Sequence, residues 1–254
     1  MADSAEPAVL TEQRGRVLLI TLNRPDAMNA INSALGTGVV DAVARLDSDE
    51  GLSVGVITGA GRGFSAGMDL KAFLTEGMPK GFMEFLRDGS RKPLIAAIEG
   101  FALAGGLEIA LTCDLLVAAK GVKLGIPEAK VGLFAAGGGL MRLPGRLPYG
   151  VAMELALTGD PILAEQAFEY GLVSRLTEPG EAVAGALTLA ERIARNAPLS
   201  TAASKMLIRE TSGRTEAEFW EFQVPHVSSV FTSDDAKEGP AAFAEKRDPN
   251  WSGR

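Results

Sequence analysis

Apolar positions along the chain fall into two patterns. Four short, largely apolar runs occupy residues 18–23, 54–59, 94–98 and 114–119, and each leads into a polar or glycine-containing turn. Short apolar runs bounded by such turns predict β-strands. Helical stretches separate several of them, and the starts fall at intervals of 36, 40 and 20 residues. Strand and helix therefore alternate, which predicts an α/β core of stacked strand–helix units, although the spacing is too uneven to define a repeat. From Glu181 the strand pattern stops and helical periodicity takes over, predicting helices over 182–194, 198–210 and 215–222. The segment 234–254 is rich in charge, proline and glycine, yet it carries Phe243 and Trp251. Large aromatic groups stabilise a fold only when buried, so this tail is expected to dock, with another subunit as one available surface.

Composition narrows the chemistry. The chain has 254 residues, of which 46% are hydrophobic and 22% charged, the profile of a compact soluble fold. One histidine, His226, and one cysteine, Cys113, exclude an intramolecular disulfide, a Cys/His zinc site and a triad drawing on spare histidines. Acid–base chemistry is therefore expected to rest on carboxylates. Acidic residues outnumber basic ones, 32 to 25, and the net charge of −7 disfavours a nucleic-acid partner. Residues 101–119 are long enough to span a bilayer, but Glu108 and Asp114 would each cost ~2.5–3.5 kcal/mol at its centre, so the window reads as buried helix plus strand and no membrane partner is expected. Residues 1–10 lack a basic and then apolar leader pattern, and a cytoplasmic location is expected.

Several motifs carry candidate chemistry. Gly59-Ala-Gly-Arg-Gly63 follows a strand pattern, but Phe64 stands where a dinucleotide fingerprint needs its third glycine, and no phosphate-loop lysine follows. What remains is a tight turn leading into Phe64-Ser-Ala-Gly-Met-Asp-Leu-Lys71, whose small residues allow backbone amides to approach a ligand. Ala104-Gly-Gly-Leu-Glu108 begins a helix-compatible run, placing Gly105 and Gly106 at a helix N-terminus with outward amides suited to a developing oxyanion. Glu108 stands among leucine, isoleucine and alanine, where an ionised carboxylate must face solvent, a partner or a cleft. On local sequence alone the solvated face is favoured. Pro127-Glu128 reads as an ordinary helix start, residues 137–139 as a plain glycine loop, His226 as structural and Cys113 as a small core residue.

Together these segments resemble the crotonase superfamily, the enoyl-CoA hydratase/isomerase fold. The resemblance rests on Leu22-Asn-Arg-Pro-Asp-Ala-Met-Asn-Ala30, the segment 64–71, Gly100-Phe-Ala-Leu-Ala-Gly-Gly-Leu-Glu108, Ile126-Pro-Glu-Ala-Lys-Val-Gly132, Leu157-Thr-Gly-Asp-Pro161 and Phe243-Ala-Glu-Lys-Arg247, in that order. It implies a spiral of repeated ββα units over residues 1–195, holding an acyl-CoA site, and a helical oligomerisation region with its tail over 196–254. The assembly it implies is a homotrimer or a dimer of trimers.

The resemblance also implies roles for particular residues. The backbone amides of Met68 and Gly105 would form an oxyanion hole for the thioester carbonyl, while Ala27, Ala66, Asp69, Leu70, Lys71 and Phe243 would line the substrate site. Lys246 would approach the CoA phosphates of a neighbouring subunit. Glu108 and Glu128 match the two glutamates of the hydratase branch, which implies hydration of a 2-trans-enoyl-CoA with acyl-CoA as substrate and no cofactor or metal. Isomerisation, a carnitinyl-CoA-type dehydration and non-catalytic acyl-CoA binding are the alternatives. Two positions depart from the common pattern: Ala104 replaces the first glycine of a triple, and Phe134-Ala-Ala136 replaces a proline and glycine beside the acyl pocket.

Overall fold

The computed structural model describes residues 6–254, so 1–5 of the segment read for a leader lie outside the described residues. Among the described residues, nine strands form two sheets. The larger runs β1 (Val9–Arg14), β2 (Val17–Leu22), β3 (Val54–Gly59), β4 (Leu94–Ile98), then β6 (Leu115–Ala119) and β9 (Arg175–Thr177), with β5 (Phe101–Leu103) leaving it for a smaller sheet. That smaller sheet has the order β5, β7 (Lys123–Gly125), β8 (Ile162–Leu163). β1 pairs antiparallel with β2, and every other pairing in the large sheet is parallel.

The four predicted strands are β2, β3, β4 and β6, adjacent in the sheet. Their continuous apolar character follows from burial on both faces. Leu18, Ile20, Leu22, Ile57, Leu94, Ala96 and Ile98 point into the principal core, whereas Val17, Leu19, Val54, Val56, Ile95, Ala97 and Val117 point the other way. The second face is closed by α8 (Ala182–Ala194) through Ala186 and Ala190. The principal core is closed by α1 (Ser33–Ser48), α3 (Phe82–Asp88) and α4 (Gly105–Thr112), with α2 (Leu70–Glu76) lying exposed between the first two in sequence. Beyond them come α5 (Gly139–Arg142), α6 (Tyr149–Thr158) and α7 (Ala164–Glu169).

After α8 the chain is helical, with α9 (Pro198–Arg209), α10 (Glu216–Phe231) and α11 (Asp234–Glu245). α9 is pinned to the sheet by Lys205, only 7% exposed, whose Nζ lies 2.8 Å from the Asp114 carboxylate and 2.8 Å from the Lys92 carbonyl oxygen. Asp114 in turn accepts a hydrogen bond from the Leu94 amide at 2.7 Å, so one carboxylate joins strand and helix.

One expectation is corrected and the tail is resolved. α10 extends nine residues beyond the predicted end at 222, passing through Pro225. More than half of the charged segment 234–254 is helix, started by Ser233, whose hydroxyl accepts from the Ala236 amide. The tail docks on its own chain: the Trp251 indole donates to the Arg195 carbonyl at 2.7 Å, and Asp235 accepts from the Ser252 and Gly253 amides. Phe243 stays outside that contact and is 87% exposed.

Candidate active site

A cavity of about 460 Å³ opens between the Met68 loop, the start of α4 and the short 3-10 helix Pro127–Val131. Ala66, Met68, Leu70, Gly105, Glu108 and Glu128 line it, so six of the predicted site residues converge. The rest of the wall is mainly apolar, with Phe73, Phe82, Leu86 and Phe134 prominent. Ala27, Asp69, Lys71, Phe243 and Lys246 do not line this cavity; Lys71 and Lys246 are exposed, and Asp69 is tied to Arg24.

The Met68 amide is left free by a local pairing rule. Met68 forms an isolated parallel bridge with Ile31, in which the Ile31 amide donates to the Gly67 carbonyl at 2.8 Å and the Asp69 amide donates to the Ile31 carbonyl at 2.9 Å. A parallel bridge uses the neighbours of one partner, so Met68's own N–H faces away from Ile31, on a residue that lines the cavity. The Gly105 amide is free for a different reason: it belongs to the first turn of α4, whose donors have no carbonyl one turn back. Neither amide has a hydrogen-bond partner among the described residues. The two are close, since a Cβ built on Gly105 would lie 3.6 Å from the Met68 nitrogen. Gly67 makes that approach possible. Its φ is +100°, and a Cβ there would meet the Ala104 Cβ at 2.6 Å and the Gly105 nitrogen at 3.1 Å.

The loop carrying Met68 is braced by two buried polar residues that sequence reading did not single out. Ser65 donates to the Asn29 carbonyl at 2.8 Å and accepts from the Gly67 amide at 3.2 Å. Asn29, fully buried with φ +52°, donates to the Ala60 and Gly63 carbonyls and accepts from the Arg24 amide. Asparagine adopts a left-handed backbone more readily than most residues, and its amide satisfies three main-chain groups that water cannot reach. Arg24 completes the brace, donating to the Ala30 carbonyl and pairing with Asp69 at 3.2 Å. The signal was present in the Asn-Arg-Pro motif, but its partners lie some thirty to forty-five residues away.

Ala104 adopts φ +51° and ψ −131° immediately before α4. That is a glycine conformation held by a residue with a Cβ, so the departure from the family triple carries backbone strain.

Glu108 is 5% exposed, which corrects the solvated-face reading. Its Oε1 accepts from the Gly139 amide at 2.9 Å, so the glycine loop 137–139 is a ligand to the carboxylate as well as a turn. Burial raises the Glu108 pKa above the usual glutamate range, while the backbone donors at Gly139 and Gly137 and the nearby Arg142 pull against that rise. Glu128 is half-buried on the opposite element, and its Oε2 has no hydrogen-bond partner among the described residues. Burial raises its pKa too; its own backbone amide opposes this, and the charge on Glu108 pushes it further up. The two carboxylates thus differ in kind: one is held by amides beside a guanidinium, the other is unpartnered beside the first.

His226 contacts Phe222, their ring centroids 5.2 Å apart, and is absent from the cavity wall. Cys113 is a buried core residue whose thiol is pushed up to about 12 by burial. Among the described residues no cluster of three or more His, Cys, Asp or Glu side chains could hold a metal ion, and no helix is long and apolar enough to cross a membrane.

Parallel strands wound into two sheets and followed by a run of helices give the crotonase fold. The chain belongs to the enoyl-CoA hydratase/isomerase family, whose model matches residues 12–254. It is 43% identical to enoyl-CoA hydratase EchA19 of Mycobacterium tuberculosis, over 98% of this chain and 97% of that one. It is 40% identical to a carnitinyl-CoA dehydratase of Salmonella heidelberg, over 95% of this chain and 97% of that one. Among solved structures, an enoyl-CoA hydratase from Mycobacterium tuberculosis H37Rv superposes with a TM-score of 0.93 at 54% identity, covering 98% of this chain and 100% of that one.

Proposed function

We propose that this enzyme adds water reversibly to a 2-trans-enoyl-CoA, giving a 3-hydroxyacyl-CoA. The observation that carries the reading is the convergence of Glu108, Glu128 and the free Met68 and Gly105 amides on one apolar cavity. With the thioester oxygen on the two amides, C2 and C3 of the acyl group would lie between the carboxylates. Ionised Glu108 takes a proton from water as its oxygen bonds to C3. The C2–C3 π electrons move onto the thioester oxygen as an enolate, and neutral Glu128 then gives a proton to C2. One oxyanion donor is worth ~2.7–4 kcal/mol of transition-state stabilisation. The raised pKa of both glutamates supports this division, because a coupled pair with one proton holds an acid and a base together near neutrality.

Dehydration of a 3-hydroxyacyl-CoA is the same path reversed, and the 40% identical carnitinyl-CoA dehydratase makes that direction the second reading. The reading takes acyl-CoA as substrate and calls on no resident cofactor. Leu70 and Ala66 at the cavity wall fit the thioester arm, and exposed Lys71 and Lys246 are cations available to its phosphates. Trp220, Val224, Val227 and Phe231 form an exposed stripe along α10, at helical spacing, which supports self-association as a trimer or dimer of trimers.

The test follows the loss of conjugated enoyl absorbance with crotonyl-CoA and a longer 2-trans-enoyl-CoA. Wild type turns over both, and Glu108→Gln and Glu128→Gln each lose activity by orders of magnitude. Binding of acyl-CoA without wild-type turnover overturns the proposal.

A further inference from the structure

Arg142, the last residue of α5, spends its donors on main-chain carbonyls. Nη1 donates to the Gly137 carbonyl at 3.2 Å, and Nη2 donates to the carbonyls of Leu86 and Arg87, the latter at 3.2 Å. Among the described residues no carboxylate lies within ion-pair distance of it. The Gly137 carbonyl belongs to the loop that meets the Glu108 carboxylate. A Cβ built on Gly137 would come within 2.6 Å of Glu108 Oε2, and Gly139, two residues on, donates to Oε1. The Leu86 carbonyl is also reached, at 3.2 Å, by the Thr112 hydroxyl, which lies 2.9 Å from the Glu108 carbonyl. One guanidinium therefore ties the glycine loop, which holds the Glu108 carboxylate, to the end of α3.

We propose that Arg142 is a positioning residue for Glu108, fixing the loop that grips its carboxylate and keeping an uncompensated positive charge behind it. The role rests on the proposed use of Glu108 as the base. A flexible glycine loop cannot by itself hold an amide at a fixed hydrogen-bonding distance, and the planar fork of arginine suits several carbonyls at once. The charged groups that act on Glu108 are Glu128 from the 3-10 helix and Arg142 from α5, with Arg146 and Arg209 standing behind Arg142. Arg142 remains a cation at any working pH despite burial and these neighbours, so it favours the ionised form of Glu108 and leaves Glu128 to hold the proton.

The experiment compares Arg142→Met, Arg142→Gln and Arg142→Lys. The Glu108 carboxyl is titrated by carbon-13 NMR, its signal assigned by its absence in Glu108→Gln, and kcat and KM for crotonyl-CoA are measured across pH. In Arg142→Met and Arg142→Gln the Glu108 titration moves to higher pH, and kcat falls by about 10- to 100-fold with KM changed by less than about threefold. Arg142→Lys keeps the titration near wild type while losing part of kcat, because charge survives and the fork does not. An unmoved Glu108 titration in the neutral variants overturns the proposal, as does unchanged kcat. Should Arg142→Met fail to fold, Arg142→Gln carries the same test. The titration needs no turnover, so a wild type that proves inactive removes the hydratase reading while the Arg142–Glu108 coupling is still read.

Discussion

Gly137→Ala separates the position of Glu108 from the stability of the fold. Gly137 has no left-handed φ, so alanine meets no backbone penalty there. Its Cβ would stand 2.6 Å from Glu108 Oε2, 2.9 Å from Glu108 Cδ and 2.7 Å from Leu86 Cδ1. Ordinary contact lies near 3.4–4 Å, so the carboxylate must retreat by roughly 1 Å, which stretches its 2.9 Å bond from Gly139 beyond hydrogen-bonding range. A hydrogen bond to a charged group is worth about 1.5–3 kcal/mol, and a misplacement of ~1 Å at a reacting group costs about 100-fold in rate. The atoms that move are ends of flexible side chains, so stability falls by no more than the ~1–3 kcal/mol of an overpacked core. Initial rates with crotonyl-CoA should therefore show kcat about 100-fold lower, with the urea unfolding midpoint only modestly displaced. Gly150→Ala is the matched control, since a Cβ there meets nothing within 4 Å, and its kcat should equal wild type. A Gly137→Ala enzyme with kcat within about threefold of wild type would refute the reasoning, because it would mean the position of Glu108 does not limit the reaction.

Two further outcomes follow from strain and charge. Ala104→Gly relieves a conformation costing about 1–3 kcal/mol, part of which glycine returns through its freer unfolded chain; a net gain of about 1 kcal/mol should raise Tm by roughly 2–4 °C at matched protein concentration, and a lower Tm would contradict the assigned strain. Burial and the nearby Glu108 charge hold the Glu128 pKa in the folded protein above the ordinary glutamate value of about 4.5, so the native state binds the proton more tightly than the unfolded chain. Its stabilising contribution is complete below 4.5 and disappears as pH rises through the raised value. Glu128→Gln should therefore be more stable than wild type at about pH 7, the difference closing toward about pH 4, and urea unfolding with a pH-independent difference would rule this out.

The sheet was legible where strands are long and buried on both faces. β2, β3, β4 and β6 announce themselves as apolar runs because neither face can tolerate charge. β1 was not legible, since its residues are mostly exposed at the edge, and β5, β7, β8 and β9 are two or three residues long, too short for any period. At the site, the start of α4 could be read from its glycines, but the burial of Glu108 could not. Its amide partner is thirty-one residues away, and the same glycine loop reads locally as a turn. Arg142 was equally silent, because its partners are carbonyls, which carry no residue identity. The contact of the tail with Arg195 is likewise a match between an indole and a backbone oxygen.

The bridge between Ile31 and Met68 sets a limit on what genetics can see. On the proposed reading, an alanine scan would register Glu108 and Glu128 yet miss the amide at position 68, because every amino acid except proline supplies the same N–H. The side chain there is thereby released to shape the cavity wall, and substitutions at 68 can retune the fit of a ligand without touching the donor beneath it. Only a change in the main chain itself, such as an amide-to-ester replacement at position 68 or 105, would remove one donor and leave every side chain in place.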